Sequence, residues 1–291
     1  VRQLATLPEQ VTALSLDAAL GCDVIALFDF ERSKSVFERA LKSVDDTPVT
    51  ELLAMLTLFA DSLASTTVRH VADALVACVA LDAVPLARRR QTADVLSLVA
   101  PASALDAMLD DWLDSPSSER RGLALRALAR PRAFSRVARI SRALGDDDVC
   151  VAIDAAEALG TIGGREAARA LSSTLTTGGA LHLRRAVASA LARIHDGGSE
   201  AREALVALVD DDDPELRLSA VLGLFEHHEP GSLTVELVDD RDPRVRVLVA
   251  TYLSERASGV DAALLEKLAR DPDARVSRAA LRRDDRHGGV R

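Results

Sequence analysis

At 291 residues and 48% hydrophobic content the chain can bury a sizeable core, and with only 3% aromatics that core is built mainly from Ala and Leu. A formal net charge of −9 excludes bulk electrostatic attachment to nucleic acid or to an anionic membrane. No run approaches the about 18 apolar residues of a spanning helix. Cys22, Cys78 and Cys150 are too scattered for a disulfide framework or a thiolate metal site, so a reduced, cytoplasmic protein is expected.

Pro8 to about Asp29 carries helical spacing through Val11, Leu14, Leu20, Ile25 and Phe28, and a second helix is expected from about Ser33 to Val44. This hairpin, residues 1–47, reads as an N-terminal cap. Asp45-Asp46-Thr47-Pro48 then opens a repeat array expected over 48–283, with a frayed tail at 284–291. Within the array one template recurs: an apolar or Arg start, small residues four and seven positions on, and Leu at the eighth. Starts fall at Met55, Arg88, Arg120, Val151, Leu183, Leu216, Val245 and Val276, spaced by 33, 32, 31, 32, 33, 29 and 31 residues. A period this regular means stacked helical hairpins that cannot bury their apolar faces singly. About eight hairpins and a terminal helix near Asp273–Arg283 are expected, an all-α solenoid.

Acidic turns precede the first helix of four late repeats: Asp146–Asp148, Asp210–Asp213 before Pro214, Asp242-Pro243 and Asp271-Pro272. Carboxylates at a helix N-terminus accept its free N–H groups, and Pro at the first helical position loses no hydrogen bond. These turns lack the spacing, Gly and bidentate Glu of an EF-hand, so capping is the reading. Gly160 is expected to close the helix that begins near Val151, and Gly163-Gly164 to continue the turn. Second helices are expected near Arg165–Leu175, Ser199–Val209 and Val260–Ala269, with only a short one before Asp239, where Pro230, Gly231, Thr234 and Val235 interrupt. Trp112 is expected in the core beside Leu109 and Leu113.

Together the Asp-rich turn, the Pro, the apolar-Arg pair and the Ala155-Ala156-Glu157-Ala158-Leu159-Gly160-Thr161-Ile162 run resemble HEAT repeats of the phycobilisome-lyase-like, short E/Z type. The resemblance is good from about Arg120 to Arg282 and weaker over Pro48–Ser118. It implies a right-handed α-superhelix whose second helices line a concave, protein-binding face. Val151-Ala152 lacks the Arg of that pattern, and Arg120 replaces its apolar residue, so a ladder of Asp–Arg pairs between turns is expected to be broken there.

No catalytic constellation emerges, and neither an enzyme nor a cofactor is expected. His227-His228-Glu229 is the one metal-like cluster. The HEAT di-iron hydroxylases carry several His-Glu pairs; here there is one, beside Pro230. Residues 117–145 stand apart, with 8 Arg against Glu119 alone, while the flanking stretches are each net −8. The leading expectation is a non-enzymatic scaffold that binds a protein or an acidic or phosphorylated peptide. On a second helix expected from about Arg132 to Leu144, Arg132, Arg136 and Arg139 form the expected contact stripe, extended by Arg88, Arg89, Arg90, Arg120 and Arg121. Guanidinium forks match carboxylate and phosphate bidentately. A bilin-lyase-like or di-iron enzyme and a HEAT-like DNA-binding protein are the alternatives; net acidity and a single Trp weigh against the last.

Overall fold

A computed structural model describes residues 72, 75–80, 82–99, 110–227, 233–255 and 261–282. The expected cap at 1–47, the Met55 start, Cys22 and the tail at 284–291 lie outside the described residues. The chain divides into two compact units, Val1–Arg130 and Pro131–Arg291. Among the described residues all regular structure is helical. None of these helices is long and apolar enough to cross a membrane. The fold is an all-α solenoid.

In the first unit, α1 (Leu86–Val99) packs on α2 (Ser118–Leu128). Leu96 of α1 and Leu123, Leu125 and Leu128 of α2 are buried. Each such buried side chain contributes about 1.5–3 kcal/mol. Two pairs lock the helices together, Arg89 with Glu119, and Arg126 with Asp94 at 2.8 Å. Ser117 caps α2 by accepting the Arg120 N–H. Trp112, expected in the core, is half-buried.

The second unit opens with a 3₁₀ turn (Phe134–Arg136), α3 (Val137–Arg142) and another 3₁₀ turn (Ala143–Gly145). Then come α4 (Val149–Ile162), α5 (Gly164–Thr177), α6 (Leu181–Ala192), α7 (Gly198–Val206) and α8 (Pro214–His227). It closes with α9 (Leu233–Leu237), α10 (Pro243–Glu255), α11 (Asp261–Ala269) and α12 (Ala274–Leu281). First helices stack in the order α4, α6, α8, α10, α12, and second helices α3, α5 and α7 stack beside them. The starts Val151, Leu183, Leu216, Val245 and Val276 are all buried. The repeat register therefore holds through this unit.

Three differences from the expected elements have physical causes. Arg132 is not helical: its φ of 62° places it in the left-handed region, and its N–H donates to the Ile162 carbonyl at 3.0 Å. The second helix of that repeat accordingly begins later and is split between 3₁₀ and α geometry, which leaves Phe134 45% exposed against Gly164. Gly160 does not end α4. A Cβ there would lie 2.9 Å from the Ala190 Cα, so this Gly lets α4 and α6 approach, and Gly163, with φ 76°, closes the helix. Gly223 plays the same part against the Ala192 backbone of α6.

One edge of the second unit carries an ion-pair ladder. Arg184 of α6 reaches Asp211 in the turn before α8 at 2.7 Å. Arg217 of α8 grips Asp240 at 3.0 and 3.1 Å, and Arg246 of α10 grips Asp271 at 2.7 and 3.0 Å. Each of these aspartates also accepts the N–H of the residue two positions on. That residue is itself an Asp, and it caps the next helix. One carboxylate thus shapes the turn and holds the preceding repeat. At the position equivalent to Arg217, α4 carries Ala152, and the turn before α6 is Gly178-Gly179-Ala180 with no side-chain cap. Both halves of that rung are missing together.

Candidate functional site

The second-helix face of the second unit holds a groove between α5 and α7, with a volume of about 460 Å³. Local sequence explains how it opens. Gly163 and Gly164 take positive φ and let α5 start tightly after α4, while the Gly164 N–H donates to Asp196 Oδ1 at 2.7 Å. Gly198, with φ 66°, does the same for α7. The two helices then run side by side, both leading away from the edge at which they start.

Their facing walls are opposite in sign. From α5, Arg169 donates to Glu200 at 3.0 Å, and Arg165 lies 3.5 Å from the same carboxylate. The two guanidiniums are 66% and 65% exposed. Arg169, the nearer, does most to hold the Glu200 carboxyl below the usual range, and the Glu200 backbone N–H adds to it. Ser172 Oγ donates to the Ala168 carbonyl at 2.7 Å and approaches the Glu200 carbonyl at 3.3 Å, fixing the wall-to-wall spacing. One turn further along α7, Glu203 is exposed and has no ion-pair partner among the described residues. The far half is apolar, with Leu175, Ala207 and Leu208, and the Arg184–Asp211 rung closes it. A smaller groove of about 360 Å³ stands at the equivalent place beside α11, where Lys267 meets Asp239 at 2.6 Å.

The arginines expected to form one stripe are placed differently. Arg88 and Arg89 are 3% and 2% exposed. Arg89 Nε donates to the Val79 carbonyl at 2.7 Å, and its fork meets Asp82 and Glu119. Both are therefore interior groups of the first unit and leave the surface patch. Arg90 is exposed, and Arg120 sits 3.6 Å from Asp82. Arg121 donates to the Ser115 and Pro116 carbonyls at 2.9 and 3.2 Å, as Arg217 does to those of Asp211 and Asp212. In the second unit, Arg132 is exposed on its turn, while Arg136 and Arg139 are half-buried and engaged within the protein.

The acidic turns act as caps. Asp148 accepts the Cys150 N–H at 2.9 Å, and Asp213 accepts those of Glu215 and Leu216, each at 3.1 Å. No group of three or more His, Cys, Asp or Glu among the described residues is arranged to hold a metal ion. His228-Glu229 lies outside the described residues. The groove itself was not expected from sequence. Arg169 and Glu200 are 31 residues apart, and the only signal was the helical period.

Residues 137–225 match the family model for HEAT repeats. No curated protein matches the chain. Among solved structures the chain is similar to a mutant of Kap121p, with a TM-score of 0.59 at 12% identity over 88% of this chain. It spans only 33% of that chain. It is also similar to YibA of Escherichia coli, with a TM-score of 0.50 at 15% identity, covering 89% of this chain and 95% of that one. At such identities these likenesses show the fold. With the match over α3–α8 they support a HEAT-repeat protein.

Proposed function

We propose that the protein is a non-enzymatic interaction scaffold that seats a partner protein or peptide on its second-helix face. The observation that carries this reading is the α5–α7 groove, in which an apolar floor is flanked by charges of both signs. Apolar depressions rimmed by a few placed polar groups are where partners dock. The Arg surplus of residues 117–145 supports an acidic or phosphorylated stretch in that partner, with the exposed Arg132 and the half-buried Arg136 and Arg139 nearest to such a role. Net acidity supports a partner other than nucleic acid. The scattered cysteines support a cytoplasmic setting. The Asp–Arg rungs support the phycobilisome-lyase-like type of repeat named by the sequence.

The test is a photo-cross-linking side chain in place of Thr176, on the groove rim, with the full chain used as bait in extract. A single cross-linked protein, outcompeted by excess unmodified bait, is the expected result. No cross-link at Thr176, or a stoichiometric chromophore or metal in the purified protein, refutes the scaffold reading. The latter result would favour a lyase or di-iron enzyme.

A further inference from the structure

The charges of the groove are ordered along its length. At the start of both helices Arg165 and Arg169 share the single carboxylate of Glu200, so one guanidinium's worth of positive charge is left over. About 4.5 Å further along α7, at 1.5 Å per residue, stands the exposed carboxylate of Glu203, without an ion-pair partner among the described residues. Beyond it lies the apolar floor of Leu175, Ala207 and Leu208. From Arg165, just outside the groove, to Thr176 on its rim, α5 covers about 16 Å, the span of about five residues of extended chain.

We infer that the groove binds a short extended segment carrying a carboxylate, then a cation, then an apolar side chain, in that order from the α5 N-terminus. The carboxylate completes the pairing of the surplus guanidinium, and the Arg fork offers it two parallel donors. The cation, a Lys or Arg of the segment, takes Glu203. The apolar side chain fills the floor and supplies most of the binding strength, while the two charges fix register and reject segments of the opposite order. A purely acidic segment would leave Glu203 facing like charge, and a purely basic one would crowd Arg165 and Arg169. This inference rests on the scaffold reading and specifies its partner.

The experiment is selection of displayed random nonapeptides on the immobilised full chain, repeated with Arg169→Glu, Arg169→Gln and Glu203→Arg. These side chains are exposed, and circular dichroism checks that each variant folds. The wild-type chain is expected to enrich peptides with an acidic, a basic and an apolar position in fixed order. Both Arg169 variants are expected to lose the acidic position, and Glu203→Arg to replace the basic position by an acidic one. Each wild-type consensus peptide should bind the matching variant at least tenfold more weakly. No enrichment, or a consensus without both charges, or one unchanged by all three substitutions, overturns the inference. If such charge-blind peptides still displace the protein cross-linked at Thr176, the scaffold stands and only the ordered charge recognition falls.

Discussion

Replacing Arg217 by Met tests whether the ladder holds the array together. Arg217 and Asp240 are 3% and 7% exposed. The Arg217 fork donates twice to Asp240 and also to the Asp211 and Asp212 carbonyls at 2.9 and 3.2 Å. Met keeps most of the apolar stem in place and removes the charge and all four contacts. Deleting one partner of a buried pair costs about 3–5 kcal/mol, mostly because the other charge is stranded. Asp240 would retain the Asp242 N–H at 2.7 Å, which places the cost near the lower end, about 3 kcal/mol. Arg241→Met is the control. Its pair with Asp212 is 60% and 103% exposed, so its loss should cost about 0–1 kcal/mol. Because repeat arrays need not unfold as one, amide hydrogen exchange is the assay. At about 1.4 kcal/mol per tenfold, protection in α8 and α10 should fall by roughly a hundredfold or more. If Arg217→Met and Arg241→Met give the same loss, below about 1 kcal/mol, the rungs are surface decoration and the reasoning fails.

Gly223→Ala should destabilise by about 1–3 kcal/mol, because the new Cβ would lie 2.6 Å from the Ala192 Cα and overpack a backbone contact. An increase in urea midpoint, as helix propensity alone would give, would show that α6 and α8 can part at no cost. Asp213→Ala should cost about 0.5–2 kcal/mol as the loss of a cap, with a melting temperature indifferent to Ca²⁺. A rise in that temperature on adding Ca²⁺ would turn the cap into a metal loop. On the pH axis, side-chain hydrogen bonds from Arg185, Arg244, Arg246 and Arg275 hold Asp213, Asp242, Asp271 and Asp273 below the ordinary aspartate value of 3.8. A depressed folded pKa gives stability that is complete above the unfolded value and lost as pH falls through the folded one. Helicity should therefore stay level from pH 7 to about 4 and decline only below that. A decline between pH 7 and 5 would contradict this account.

What the sequence disclosed and what it concealed divide along physical lines. The repeat starts from Val151 to Val276 were legible because an apolar residue recurring every 29 to 33 positions has to face a neighbouring copy. Asp213 was legible because capping depends only on residues two and three positions away. Gly160 was misplaced because the same residue serves a helix end or a close crossing, and only the position of Ala190 decides between them. Arg88 and Arg89 looked like surface because Arg is seldom buried without partners. For Arg89 those partners come from two separate segments of the chain, Val79 and Asp82 just before its helix and Glu119 at the start of the next. Arg132 gave no sign of its left-handed backbone, since that conformation is imposed by the turn around it. The groove depends on pairs about one period apart, and no local pattern marks such pairs.

The direction of the rungs bears on how such a chain can change length. Each joins a helix to the turn that follows it one copy later, over 27, 23 and 25 residues. Inserting a residue or two into an acidic turn would misalign a guanidinium on one side and a cap on the other. Duplicating or deleting a complete copy would leave every surviving pair matched. The shortest copy, from Leu216 to Val245, fits this constraint. Its missing residues are taken up around the five-residue α9, while its turns keep their full form, so Arg217 still meets Asp240 and Arg246 still meets Asp271. Length in this architecture is negotiable in the second helices and quantised everywhere else.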